Sequence, residues 1–150
     1  MTRRHTAGTL WLAAAHPSPT AAWNQWATTP TRFAVLPAGA RWDAIRIGCS
    51  LAVKALDELD AIERAGAPVL WGLREGSARA YVLVPPGTAR AWHEPPTRAI
   101  GAGGWVAMPR PGTDQPDPGF RWEPAPDGSG RLADPETLRS ALRRVREGER

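Results

Sequence analysis

Hydrophobic and polar positions along this chain switch between two periods, and the switches mark its elements. Phe33-Ala34-Val35-Leu36 is a short apolar run closed by Pro37 and a turn at Gly39, which predicts a strand. From Trp42 to Ile47 the period is two: Asp43, Ile45 and Ile47 point one way, Ala44 and Arg46 the other. The period lengthens over Leu51 to Ala65, where Ala52, Ala55, Leu56, Leu59 and Ile62 form the apolar stripe of a helix. Ser50 is its expected cap and Gly66 its stop.

Val69–Trp71 and Ala80–Val84 read as strands around a turn at Glu75-Gly76-Ser77, and Thr88–His93 as one helical turn. Strands at Arg98–Ile100, Trp105–Met108 and Phe120–Trp122 complete one sheet, with a proline-rich loop from Pro109 to Pro118. The last helix is well marked: Asp134 as cap, Pro135 in the first turn, then Leu138, Ala141, Leu142 and Val145 on one face. Two short helices precede the first strand. One runs from Thr9, its cap, to His16; the other spans Thr20–Thr28, with Trp23 and Trp26 on one side. The fold class expected is therefore α/β of the α+β kind, a mixed, largely antiparallel sheet flanked by helices. Residues 1–19 read as an N-terminal extension with a short helix, and residues 20–150 as one domain.

Composition supports a single packed unit. A chain of 150 residues with 42% apolar content and eight tryptophans has material for a core, and about 70% of the unfolded surface of a chain this long becomes buried. The 15 glycines and 16 prolines keep elements short and loops many. Net charge is +4, carried almost wholly by arginine, with Lys54 the single lysine. Arginine suits phosphate and carboxylate recognition, so a basic surface of this kind is compatible with nucleic acid.

Cys49 is alone, which excludes an intrachain disulfide framework and a cysteine zinc site. Arg3 and Arg4 precede the apolar run Leu10–Ala15, which resembles a signal peptide. Its core of about six residues falls at or below the usual 7–15, so a cytoplasmic protein is expected. No segment approaches the roughly 20 apolar residues of a membrane helix.

Familiar catalytic constellations are missing. The cluster Gly101-Ala102-Gly103-Gly104 is followed by a strand, so it lacks the helix N-terminus that a dinucleotide fingerprint needs. His93-Glu94 could pair as acid and base, but Pro95-Pro96 follows directly and a surface turn is the expectation. Asp57, Glu58, Asp60 and Glu63 read as a solvated helix face. On the last helix Arg139, Arg143, Arg146 and Arg150 fall in one stripe flanked by Glu136, Glu147 and Glu149, a candidate contact for a phosphate backbone. Trp42, Trp71 and Trp105 are expected in the core, Trp23 and Trp26 as a seal between helix and sheet.

Several segments, taken in order, resemble the N-terminal domain of bifunctional primase–polymerases of the archaeo-eukaryotic primase superfamily. They are Phe33-Ala34-Val35-Leu36-Pro37-Ala38-Gly39, then Ala55-Leu56-Asp57-Glu58-Leu59, and Gly103-Gly104-Trp105-Val106-Ala107-Met108-Pro109 with Phe120-Arg121-Trp122 and the closing helix. The likeness covers residues 20–145, and the arginine-rich composition fits an actinobacterial type.

The resemblance implies a carboxylate pair for divalent metal, a histidine near the nucleotide phosphates and a third carboxylate before the glycine turn. In this chain those positions hold Arg46 with Gly48, Ala80 and Arg98. A metal site, a cofactor and catalysis are therefore not expected. The resemblance and the substitutions together imply a degenerate primase–polymerase-like module that binds DNA or nucleotide phosphates through Arg46, Arg79 and Arg98. Arg139, Arg143 and Arg146 are candidate nucleic-acid contacts. Two other readings stay open: an active enzyme whose acids lie in a different register, and a protein-interaction module using the 109–118 loop and exposed tryptophans.

Overall fold

The computed structural model describes residues 3–28, 32–59, 67–74, 76–113 and 117–148. It is mixed α and β, as the pattern predicts. In chain order the elements are α1 (Arg3–Ala13), α2 (Pro19–Thr28), β1 (Phe33–Pro37), β2 (Asp43–Gly48) and α3 (Cys49–Glu58). Then come β3 (Val69–Gly72), β4 (Arg79–Val84), a 3-10 turn (Thr88–Ala91), β5 (Arg98–Ile100), β6 (Trp105–Pro109), β7 (Phe120–Trp122) and α4 (Pro135–Gly148).

The strands make two sheets rather than the one expected. Five pair antiparallel in the order β5-β2-β4-β3-β7, while β1 and β6 form a separate antiparallel ribbon. The turn between β5 and β6 explains the split. Gly104 N–H donates to the Gly101 carbonyl at 2.8 Å, and Gly103 adopts φ +93°, so the chain bends away from β5 and enters the ribbon. A second glycine holds this bend in place. Gly39, at φ +99°, lies so close to Ala102 that a Cβ there would sit 2.6 Å from its Cα.

Period-two alternation sends the sheet's side chains into two separate cores. Ile45, Ile47, Ala80, Val82 and Val84 pack against α3 and α4 through Ala52, Leu56, Leu138 and Leu142. Ala44, Leu70, Tyr81 and Leu83 face the other way, toward Leu36 and Met108 of the ribbon and Leu12, Ala22 and Trp26 of α1 and α2. The result is three layers, with the ribbon and α1–α2 covering only part of the second face.

Helix boundaries differ from the pattern where caps were inferred. α1 begins at Arg3, so Thr9 lies inside it; its buried hydroxyl donates to the Pro111 carbonyl at 3.1 Å. α3 begins at Cys49 with Gly48 as an N-cap that has no side-chain bond, so Ser50 falls within the first turn. α3 is described as far as Glu58, with Leu59 as its C-cap; Asp60, Ile62, Glu63 and Gly66 lie outside the described residues. At α4 the expected cap is present: Asp134 Oδ2 accepts from Thr137 N–H at 2.9 Å and from its hydroxyl at 2.7 Å. Among the described residues no helix is long and apolar enough to cross a membrane.

Candidate functional site

The uncovered part of the second sheet face is set by register. Residues directly opposite in a ladder share a face, so Arg98, Arg46, Tyr81, Leu70 and Trp122 form one row across all five strands. The next row on the same face runs Gly48, Arg79, Gly72, Phe120. Its glycines leave room beside Arg79. A Cβ on Gly72 would come within 3.0 Å of the Phe120 ring, whereas one on Gly48 would meet nothing within 4 Å.

Between these rows and the ribbon lies a cleft of about 390 Å³. Its floor is Arg46, Arg79 and Tyr81; Phe33 and Trp105 of the ribbon form the opposite wall. One end is closed by Phe120, which meets Phe33 edge to face at 4.8 Å, with the Arg74 guanidinium 5.3 Å from the Phe120 ring centre. Arg79 is fixed in place. Its Nε donates to the Tyr81 hydroxyl at 2.7 Å and its Nη1 to the Ser77 carbonyl at 3.1 Å. Its guanidinium carbon also lies over the Tyr81 ring, 5.6 Å from the ring centre.

No carboxylate among the described residues lines this cleft. Among the described residues the guanidinium groups of Arg46, Arg74 and Arg98 have no ion-pair or hydrogen-bond partner, and those of Arg46 and Arg74 face the cleft together with the spare donors of Arg79. Guanidinium forks match phosphate oxygens two at a time, and aromatic walls accept planar rings. Of the expected phosphate-binding residues, Arg46 and Arg79 line the cleft, and Arg98 stands opposite Arg46 at its edge.

Ala80 is elsewhere. It pairs with Ile47, one residue out of phase with Arg46, and is fully buried against α3 and α4. The position that the resemblance assigns to a histidine therefore faces away from Arg46, and Tyr81 takes the place beside it. Asp43 also lies on the opposite face, as its parity predicts. It is buried, and its Oδ2 accepts from Gly87 and Ala89 N–H at 3.0 and 2.9 Å, which holds the 3-10 turn. Among the described residues no three His, Cys, Asp or Glu side chains gather closely enough to hold one metal ion.

The arginine stripe of α4 does not present a row of unpaired cations. Arg139, Arg143 and Arg146 converge on Glu94, which is only 5% exposed. Arg143 donates to Glu94 Oε1 from Nε at 3.0 Å and from Nη2 at 2.6 Å, Arg139 Nε lies 3.2 Å from the same oxygen, and Arg146 Nη1 lies 3.6 Å from Oε2. Those bonds to Glu94 raise the Arg143 pKa further above its usual value. Arg139 also pairs with Glu136 and lies 5.2 Å from the centre of the Trp92 ring. Arg150 lies outside the described residues.

This hub corrects the surface turn expected at His93-Glu94. His93 is exposed, but Glu94 is the anion that anchors α4 to the 3-10 turn and its following loop. Trp105 is a second correction: half exposed at 51%, it walls the cleft instead of filling the core. Arg74 went unnoticed in the sequence because it sits in a short polar stretch with no periodicity to mark its face. Comparison with protein families, with curated proteins and with solved structures finds no match for this chain.

Proposed function

We propose that this chain is a non-catalytic binding domain for nucleotide or nucleic-acid phosphates, a primase–polymerase-like module in which arginine takes the place of metal. One observation carries the reading: Arg46, Arg74 and Arg79 meet Tyr81, Phe33, Phe120 and Trp105 in a single cleft whose lining, among the described residues, includes no carboxylate. Guanidinium groups without a salt-bridge partner among the described residues favour an anionic ligand, and the rings favour one that carries a planar base. The reading places the domain in the cytoplasm, where the lone Cys49 stays reduced.

Calorimetric titration with nucleoside phosphates and short DNA, in the presence and absence of a chelator, tests it. Binding of equal strength in both conditions is expected. Absence of binding in both removes the proposal, and strict magnesium dependence contradicts its mechanism. A second reading, a protein-interaction module, draws on the apolar exposure of the ribbon, where Val35 is 43% and Trp105 51% exposed. A defined partner that co-purifies with the chain, together with indifference to DNA, would favour it.

A further inference from the structure

The cations of the cleft, with Arg98 at its edge, are distributed one to a strand. Arg98 lies on β5, Arg46 on β2 and Arg79 on β4, and Arg74 follows β3 by two residues, in the order in which those strands pair. Neighbouring strands lie about 4.8 Å apart, so the line from Arg98 to Arg74 covers about 14 Å across the sheet. A single phosphate group cannot reach both ends. Phosphates recur every 3.4 Å or so along one strand of a duplex, so a length of that order accommodates several in succession.

Two further observations favour a repeating anion. Arg46 and Arg98 stand directly opposite one another, an arrangement that like charges disfavour until something anionic lies between them. The line also ends beside Phe120, where the ring lying over Gly72 and the edge of Phe33 offer an apolar stop.

Resting on the proposed function, we infer that the ligand is an extended chain of phosphates that runs across the strands and is held at two or more consecutive phosphates. A single nucleic-acid strand and linear inorganic polyphosphate share that chemistry.

The full chain is titrated with thymidine 5′-monophosphate, with the oligothymidylate octamer and with linear polyphosphate of matched charge, over a range of salt concentrations. At least one octameric chain is expected to bind about tenfold or more tighter than the monophosphate. Its log affinity should fall with log salt at a slope of about −2, as for three neutralised phosphates on a single strand. Arg98→Gln and Arg74→Gln, checked by circular dichroism for an intact fold, should each lower octamer affinity by a larger factor than monophosphate affinity.

Preference for oligothymidylate identifies a nucleic-acid strand as the source, and equal or better binding of polyphosphate identifies the bare phosphate chain; both support the inference. If the monophosphate binds as tightly as the octamers, the site holds a single anion. The inference is then overturned while the proposed function stands. If none of the three binds, both are overturned.

Discussion

Arg46 and Arg98 face each other across the β2–β5 ladder, and among the described residues neither is in a salt bridge. Opposite charges at such a position contribute roughly 0.2–1 kcal/mol, and like charges cost a similar amount. Arg98→Glu is therefore expected to raise the unfolding free energy by about 0.5–1 kcal/mol. The same change should weaken phosphate binding by about tenfold or more, since it turns an attraction into a repulsion. Urea denaturation and calorimetric titration on one preparation read both effects. A variant that loses stability and keeps its affinity contradicts the assignment.

Gly48 offers a cleaner perturbation of the same face. It is the N-cap of α3, has φ −56° and ψ 143°, and leaves open space where a side chain would go. Gly48→Asp should add a few tenths of a kcal/mol by capping the helix. It also sets a carboxylate directly across the ladder from Arg79. The expected outcome is a slightly higher denaturation midpoint with several-fold weaker phosphate binding.

Glu94 tests whether the two arginine groups act separately. Removing it by Glu94→Ala leaves Arg139, Arg143 and Arg146 without their shared anion. A cost of about 3 kcal/mol is expected, the low end for breaking a buried pair, because Arg143 is 59% exposed and regains water. α4 packs on the far face of the sheet, so affinity at the cleft should be unchanged. If affinity for an oligonucleotide rises instead, the freed stripe has become a second phosphate contact.

Asp134 supplies a pH dependence. Hydrogen bonds from the Thr137 hydroxyl and N–H hold its carboxyl below the ordinary aspartate value. A depressed folded-state value means the stabilisation is complete above the unfolded aspartate pKa and is lost as pH falls through the lower folded one. Asp134→Ala should cost about 1 kcal/mol at neutral pH. Urea midpoints of the two proteins should converge as the pH is taken well below the ordinary aspartate pKa.

Much of this fold was legible because alternation and helical stripes leave a direct mark in the chain. β5 and β7 fall where the pattern places them, and the faces of Ile45 and Arg46 follow from parity alone. The separation of β1 and β6 from the main sheet was not legible. Pairing partners depend on where Gly103 and Gly39 send the chain, and a glycine announces a turn without giving its direction. The cleft was half visible. Arg46, Arg79 and Arg98 were named, but Arg74 and the exposure of Trp105 depend on which surfaces the ribbon leaves uncovered. The α4 stripe was correct as geometry and wrong as a free surface, because Glu94 reaches it from about 50 residues away in the chain.

The alternation in β2 also guards the folding of the sheet itself. Sliding that strand by a single position would push the Arg46 guanidinium into oil among Leu56, Leu138 and Leu142, and turn Ile45 and Ile47 to the partly covered second face. β4 carries the same safeguard in Arg79. The groups proposed to recognise a ligand would thus also reject a misaligned sheet, and neutralising them should leave a chain that folds into more than one alignment.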